Sequence, residues 1–174
     1  MKPRKRQTSQ SGISLLEVLI ALLILSLGAL GFAGLQLKGL KTTEDANYRA
    51  HATLIAQDAI ERVLSNPGQA DRYFTSNNWP SSPVAPGAQP SDWKKCMTNS
   101  CSATEMANWD IAQLNWIAAN SLPVGRVMAT DCTFNSNIQC VIVSWGGMTP
   151  SACTTATGIN TEGDSTCLVL EVIR

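Results

Sequence analysis

The sequence predicts an α+β protein: a long N-terminal helix with a transmembrane first half, packed on a small antiparallel β-sheet, with one extra short helix. Three observations support this fold class. Residues 18–35 contain a single polar side chain, that of Ser26, residues 52–64 have the apolar spacing of an amphipathic helix, and three segments rich in Val and Ile follow residue 123. The 174 residues suffice for one globular domain and one appended element.

Charge is distributed unevenly along this chain of zero formal net charge. The first 12 residues contain no acid and four of the 13 basic residues: Lys2, Arg4, Lys5 and Arg6. The remainder therefore holds nine basic and 13 acidic residues, a net charge of −4. Positive charge before an apolar segment favours a cytoplasmic location for that side, so the residues after Leu35 are expected to be exported. An acidic exported part lacks the electrostatic footprint of a nucleic-acid-binding protein.

The apolar run follows the basic leader directly, and the residues allow more than one processing route. An ordinary secretory signal would be cut after Ala33, where Gly31-Phe32-Ala33 forms a small-x-small site. An uncleaved signal anchor would retain the leader. Glu17 stands at the start of the apolar run, where an acid next to lipid is costly and usually has a purpose. The residues indicate an exported, membrane-anchored chain and leave the cut open.

A single helix is predicted from about residue 14 to residue 65, because the stretch lacks proline and is dominated by Leu, Ile and Ala. Asn66-Pro67-Gly68 then stops the helix. In its second half, Asp58 and Arg62 form an i,i+4 pair on the polar side. The apolar side should pack on the rest of the protein and consists of Ala52, Ile55, Ala56, Ala59, Ile60, Val63 and Leu64.

Glycines interrupt the apolar half of this helix at Gly28, Gly31, Gly34 and Gly39. Such spacing permits close approach of a second helix. Glycine is also frequent in membrane helices in general. Both interpretations fit the residues.

A loop is predicted over residues 67–95, which contain five prolines separated by Ser, Asn and Gly. Trp79 and Trp93 within it are expected to pack rather than to bind a ligand. Ser102-Ala103-Thr104-Glu105 then matches a capping box and predicts a helix to about Asn120. Its predicted apolar stripe consists of Met106, Trp109, Leu114 and Ile117.

Three strands are predicted after Pro123, over residues 124–129, 138–145 and 168–173. Asn135-Ser136-Asn137 should connect the first two as a hairpin. Residues 154–166 are rich in Thr, Gly and Asn and should form the loop before the last strand.

Six cysteines lie in the exported part, and an even number in an oxidising compartment predicts a disulfide framework. Six cysteines allow 15 pairings. The sequential pairing is adopted here: Cys96–Cys101, Cys132–Cys140 and Cys153–Cys167. No metal site is expected, because the spacings lack the C-x-x-C pairs of a zinc ribbon and His51 is the sole histidine.

The front of the chain closely resembles the class III leader of type IV prepilins and pseudopilins, over the run Ser11-Gly12-Ile13-Ser14-Leu15-Leu16-Glu17-Val18-Leu19-Ile20-Ala21-Leu22. The resemblance implies that prepilin peptidase cuts between Gly12 and Ile13 and methylates the new amine of Ile13, which leaves 162 of the 174 residues. It also implies that Glu17 neutralises the N-terminal amine of a neighbouring subunit during assembly. Ile13 replaces the more frequent Phe, and Gly34 replaces a frequent proline, so helix melting on assembly is less assured.

The resemblance is strongest over residues 1–65, and the predicted helix and strands beyond it fit the pilin plan. It implies a cleaved basic leader (1–12), a long helix (13–65) with a transmembrane first half, and a periplasmic disulfide-bridged head (66–174). Residues 56–62 and the W-x6-W-x6-P-x-G stretch from Trp109 are most similar to minor pilins of the PilV kind. Type II secretion pseudopilins of the GspI kind share the front end and are the alternative, although they are usually shorter and poor in cysteine.

The resemblance implies a structural role, in pilus priming or in the pilus itself, rather than catalysis. Expected partners are other minor pilins, the major pilin, prepilin peptidase and the assembly platform, with a tip adhesin as a further candidate. The expected location is the inner membrane, single-pass with a periplasmic head, and then the pilus. His51 lies on the predicted helix, and the sequence contains no G-x-S-x-G, P-loop or metal cluster. Neither a cofactor nor a nucleic-acid partner is expected.

Overall fold

The computed structural model describes residue 12 and residues 14–87, 89–90 and 95–172. The sequence predictions on the basic leader before Gly12, on the methylation site Ile13, on Trp93 and on the end of the last strand at residue 173 fall outside the described residues. The chain divides into two compact units, Met1–Glu44 and Asp45–Arg174, and the boundary falls within the first helix.

Helix α1 spans Leu15–Ser65, which confirms the continuous helix predicted from about residue 14 to residue 65. It begins where the N–H groups of Glu17 and Val18 donate to the carbonyl oxygen of Ser14, at 2.9 and 3.3 Å. In the first unit, every α1 residue from Leu15 to Glu44 is exposed. This part of the helix is stabilised by its own backbone hydrogen bonds and not by packing within the unit.

In the second unit, α1 contributes a narrow stripe of small apolar residues to the core. The buried residues recur at three- and four-residue spacing: Ala52, Ile55, Ala56, Ala59 and Val63. They share one hydrophobic cluster with a later helix and the sheet. The prediction that Leu64 belongs to the stripe is wrong, since this side chain is 67% exposed. Leu64 follows Val63 by about 100° around the helix, which turns it away from the core.

The segment predicted as a loop over residues 67–95 contains short helices. These are a 3-10 turn at Pro67–Gln69, helix α2 at Ala70–Tyr73, a 3-10 turn at Ser76–Asn78 and the start of helix α3 at Lys95–Thr98. Tertiary packing explains the difference, because Tyr73 and Phe74 are buried in the core. Trp79 is buried as predicted, and its indole N–H donates to the carbonyl oxygen of Tyr73 at 2.6 Å.

Helix α4 spans Ala103–Ser121 and begins at the predicted capping box. The N–H of Glu105 donates to Ser102 Oγ at 3.3 Å, and the N–H of Ser102 donates to Glu105 Oε2 at 3.0 Å. Hydrogen bonds from the Ser102 backbone and side chain, together with Lys95, lower the pKa of Glu105 to about 2. The carboxylate therefore supports the helix start above its ordinary pKa, and this support is lost as the pH falls towards 2.

The buried side of α4 differs from the predicted stripe. Leu114 is buried as predicted, but Met106, Trp109 and Ile117 are only half-buried. The buried side also includes the apolar residues Ala107, Ile111 and Ala118 and the polar residues Asp110, Gln113 and Asn115. Small alanines let α4 approach the core closely, and the polar side chains are tolerated because they find hydrogen-bond partners. Asn115, for example, donates to the carbonyl oxygen of Ile111 at 3.0 Å.

Five strands form two antiparallel sheets: β1 at Arg126–Cys132, β2 at Asn135–Ser144, β3 at Thr154–Thr155, β4 at Gly158–Ile159 and β5 at Cys167–Val172. The larger sheet has the order β1-β2-β5, and β3 pairs with β4. The three predicted strands are confirmed, whereas residues 154–166 contain the β3-β4 hairpin instead of only a loop. With α1 and α4, the sheet makes up the predicted α+β layout.

The turn between β1 and β2 lies earlier than predicted. Thr133 and Phe134 form the turn, whereas Asn135-Ser136-Asn137 already belongs to β2. A register irregularity between Asp131 and Cys132 brings Cys132 opposite Asn135. The Asn137 N–H donates to Asn135 Oδ1 at 3.0 Å, so the Asn-rich segment bonds locally without reversing the chain.

A tight turn connects α4 to β1. The Gly125 N–H donates to the carbonyl oxygen of Leu122 at 3.1 Å, and Val124 between them has a φ of 55°. A β carbon on Gly125 would lie 2.1 Å from the carbonyl oxygen of Ala118 in α4. Lack of space therefore requires glycine at residue 125.

Replacing Gly125 with alanine is expected to destabilise the protein by about 3 kcal/mol, because the turn would have to move away from the α4 backbone. Gly68→Ala is the matched control, since a β carbon there meets nothing within 4 Å. Urea unfolding of the full chain, followed by near-UV circular dichroism, measures both variants. Equal midpoints for Gly125→Ala and the unchanged chain would contradict the close approach.

Candidate assembly segment

The described part of the first unit is an exposed apolar helical segment. By length and composition, α1 is the one helix among the described residues that could cross a membrane. Its exposed large apolar side chains in this unit are Leu15, Leu16, Val18, Leu19, Ile20, Leu22, Leu23, Ile24, Leu25, Leu27, Leu30, Phe32, Leu35, Leu37 and Leu40. A surface of this kind is costly in water and suited to lipid or to apolar partner helices.

Ser26, the polar side chain inside the apolar run, is satisfied by its own helix. Its hydroxyl donates to the carbonyl oxygen of Leu23 at 2.8 Å. A buried hydroxyl without a hydrogen bond would cost several kcal/mol in an apolar medium. Because the bond is local, Ser26 adds little to the cost of placing the segment in lipid.

Glu17 lies in the first turn of α1, and its side chain is exposed. A carboxylate in the first turn interacts favourably with the helix dipole. Within the described residues, no cation forms an ion pair with the Glu17 carboxylate. Gly12 is exposed and lies outside the helix, three residues before its start. The structure thus places two of the predicted processing and assembly residues at the beginning of α1.

The glycines of the segment serve no contact inside the first unit. A β carbon added at Gly28, Gly31, Gly34 or Gly39 would meet nothing within 4 Å. Their small size is therefore not required by packing within the described part of this unit. A contact that needs them would have to come from outside the described residues.

In the second unit, a polar cluster around Arg62 ties α1 to α2 and α4. Arg62 binds both carboxylate oxygens of Asp58 at 2.9 and 3.1 Å and donates to Asp110 Oδ1 at 2.8 Å. The hydroxyl of Tyr73 donates to Asp110 Oδ2 at 2.5 Å. The guanidinium also lies 5.9 Å from the ring centre of Trp109. The predicted Asp58–Arg62 pair is confirmed and is one part of this cluster.

The electrostatics of the Arg62 cluster indicate a structural role. Burial and then the hydrogen bond to Asp110 raise the pKa of Tyr73, so its phenol stays protonated. Partial burial opposes the charge of Arg62, but the Asp58 and Asp110 carboxylates outweigh it and raise the arginine pKa. Both groups therefore keep one protonation state at neutral pH. Asp110 and Tyr73 are not identified from the sequence as members of this cluster. The available signal is the position of an acid, Asp110, between the apolar residues Trp109 and Ile111.

Three disulfides join the cysteines in sequential order: Cys96–Cys101, Cys132–Cys140 and Cys153–Cys167. The first links α3 to the residues just before α4. The other two belong to a second apolar cluster with Ile142 on the sheet. Cys153–Cys167 closes the segment that contains β3 and β4, and closing a loop of this length contributes about 3 kcal/mol in the chain-entropy picture.

His51, the sole histidine, is exposed on α1. Among the residues that the structure describes, no group of three or more His, Cys, Asp or Glu side chains could hold a metal ion. The polar side chains of the Arg62 cluster are hydrogen-bonded to one another.

Comparison with known protein families finds two adjacent matches. The prokaryotic N-terminal methylation motif matches residues 7–33, and the family described as type IV pilin Tt1218 matches residues 34–112. No curated protein and no solved structure matches the chain.

The fold is that of a class of proteins with a long N-terminal helix. The first half of this helix is apolar and exposed, and its second half packs on a small antiparallel sheet with short helices. The two family matches together run from residue 7 to residue 112 and cover the segment and much of the head. The chain belongs to the type IV pilin superfamily and carries the N-terminal methylation motif. This is a structural protein family.

Asp110→Ala is expected to lower the free energy of unfolding by about 3 kcal/mol, because Arg62 and Tyr73 would each lose a buried partner. Asp45→Ala removes an exposed i,i+4 pair with Arg49 and is the control, with an expected loss below about 1 kcal/mol. Urea unfolding of the full chain measures both losses. Equal losses for the two variants would show that the cluster does not stabilise the head.

Proposed function

We propose that the protein is a minor pilin that primes or joins type IV pili. Residues 18–35 hold the chain in the inner membrane as a single span, the head lies in the periplasm, and the mature chain later enters the pilus at the cell surface. The observation that carries the proposal is the methylation motif over residues 7–33 together with an exposed apolar helix that carries Glu17 near its start.

In this proposal, prepilin peptidase cuts between Gly12 and Ile13 and methylates the new amine of Ile13. Gly12 lies outside α1 and is exposed. A peptidase must bind the backbone that it cuts, and an exposed, non-helical residue allows this. The cut removes the basic leader with Lys2, Arg4, Lys5 and Arg6, which hold the front of the precursor on the cytoplasmic side.

Glu17 is proposed to pair with the N-terminal amine of a neighbouring subunit during assembly. An amine and a carboxylate in an apolar medium each cost several kcal/mol alone, and pairing recovers much of that cost. The carboxylate is exposed in the first turn of α1 and so is open to such a partner. The pairing would favour a subunit that is already in the filament over a subunit alone in the membrane.

The proposed partners follow from this role: the major pilin, other minor pilins, prepilin peptidase and the assembly platform, with a tip adhesin as a further candidate. No catalytic role is proposed. A GspI-like minor pseudopilin of a type II secretion system is the alternative. The three disulfides of the head and the similarity of residues 56–62 and 109–125 to PilV-type minor pilins favour the pilus.

Deletion of the gene is expected to reduce surface pili without reducing the amount of major pilin. Expression of the unchanged protein should restore pili, whereas Glu17→Gln should be processed and inserted but excluded from sheared pili, because it cannot pair with the amine. Glu61→Gln is the control, since Glu61 is an exposed acid of the same helix outside the apolar segment.

Immunoblots of membranes and of sheared pili, with a parallel assay of secreted proteins, measure these outcomes. Glu17→Gln in pili at the level of Glu61→Gln would contradict the role of Glu17. Normal piliation with blocked protein secretion in the deletion strain would identify the pseudopilin alternative instead.

A further inference from the structure

A polar cleft lies beside β1 in the head, and its described lining does not include Arg62, Asp58, Asp110 or Tyr73. It has a volume of about 370 Å³, within the range of small-molecule sites, which begins at about 300 Å³. The two 3-10 turns at Ser76–Asn78 and Pro150–Ala152 contribute to its walls, and β1 contributes Arg126 and Met128. Among the described residues that line the cleft there is no Asp or Glu, and Arg126 is the charged group.

Arg126 differs from the other arginines that the structure describes. Arg49 binds Asp45 and a backbone carbonyl oxygen, Arg62 binds Asp58 and Asp110, and Arg72 donates to Asn108. The Nε of Arg126 is buried, and no group in the described part of the chain accepts its hydrogen. No ion pair to a described carboxylate compensates the Arg126 charge. A buried donor without an acceptor is rare in folded proteins and calls for an explanation.

A second orphaned polar atom lies next to Arg126 in the sheet. Ser144 of β2 stands directly opposite Arg126 in the strand register, which puts both side chains on one face. Ser144 is fully buried, and its Oγ also has no partner among the described residues. One cross-strand pair at the side of the cleft thus contains two unsatisfied hydrogen-bonding groups.

We propose that this cleft binds a carboxylate, with Arg126 as the group that recognises it. A guanidinium presents a planar fork of N–H donors that matches the two oxygens of a carboxylate. Hydroxyl groups of Ser76, Ser81, Thr149 and Ser151 line the same cleft and offer further donors, while Trp79, Met128 and Pro150 provide apolar walls for the rest of the ligand.

A monoanion fits the site better than a phosphate dianion, because the described lining of the cleft carries a single positive charge. The carboxylate could belong to a free organic acid or to an acidic side chain of a neighbouring protein. The chemistry at Arg126 is the same in both cases. This inference goes beyond the proposed role of the apolar segment and Glu17 in filament assembly.

The test is a titration of the full chain in detergent micelles, with 15N-labelled arginine and detection of the Nε–H signals by nuclear magnetic resonance. N-acetyl-L-glutamate represents a free acid, and a blocked Ala-Glu-Ala peptide represents an acidic side chain. Inorganic phosphate and N-acetyl-L-glutamine are the control ligands. We expect a saturable shift of the Arg126 signal with at least one acid at millimolar concentration, weaker binding of phosphate, and no response to N-acetyl-L-glutamine.

Variants separate recognition from packing. Variants at residue 126 lack the Arg126 signal, so binding to them and to the unchanged chain is compared through the ligand signals, by saturation-transfer difference nuclear magnetic resonance. Arg126→Gln should abolish the saturable binding, and Arg126→Lys should weaken it at least about tenfold, because a point charge replaces the fork. Arg72→Gln removes the same charge outside the cleft and should leave binding unchanged. Since no described residue accepts a hydrogen bond from Arg126 Nε, Arg126→Gln should also keep the unfolding temperature of the unchanged chain.

Saturation with N-acetyl-L-glutamate, alone or as well as with the peptide, supports the site and indicates a soluble acid as the ligand. Saturation with the peptide alone supports the site and indicates an acidic side chain of a partner protein. Absence of a saturable shift at about 20 mM with both acids would overturn the proposal. Equal binding of N-acetyl-L-glutamine would do the same. Undiminished binding by Arg126→Gln would also overturn the proposal, and a lowered unfolding temperature of that variant would then assign Arg126 to packing.

Discussion

The structure depends on one uninterrupted helix that carries two different surfaces. In the first unit, the apolar run of α1 has Ser26 as its polar side chain, and that hydroxyl is bonded to its own helix. In the second unit, a narrow stripe that runs from Ala52 to Val63 is buried in the head core. The two surfaces suit different surroundings, lipid or partner helices for one and a protein core for the other. A subunit that anchors first and assembles later needs both surfaces.

Inside the head, the core alone does not explain how α1 is held. Arg62 bonds to Asp58 within α1 and to Asp110 in α4, and Tyr73 completes the link from α2. Breaking one partner of a buried charged group costs more than an exposed pair contributes, so the cluster favours one arrangement of the three helices. The disulfides act on other parts of the head, around α3 and on the sheet. The Arg62 cluster thus stabilises the packing of α1, α2 and α4, whereas the disulfides stabilise the sheet and the region around α3.

Features that rest on local signals could be predicted from the sequence, and features that rest on long-range contacts could not. The bounds of α1 follow from an unbroken helical stretch ended by Pro67, and α4 begins at its capping box. The buried side of α4 is not evident from the sequence, because the burial of Asp110 is compensated by partners from α1 and α2. The β1-β2 turn lies at Thr133 and Phe134, earlier than the sequence predicts, and a register irregularity next to it brings Cys132 opposite Asn135. In the candidate assembly segment, Glu17 is evident from the sequence. In the cleft of the head, the lack of a described acceptor for Arg126 Nε is visible only in the structure.

The measurement that tests the central claim most directly is the N-terminus of the protein purified from native membranes, determined by mass spectrometry. N-methylated Ile13 is the predicted result, since it would establish prepilin peptidase processing and an amine that can pair with Glu17 of a neighbour. A chain that starts at Gly34 would contradict the account, because Glu17 would be absent from the mature protein. An intact Met1 would contradict it as well, since the basic leader would remain and no methylated amine would form.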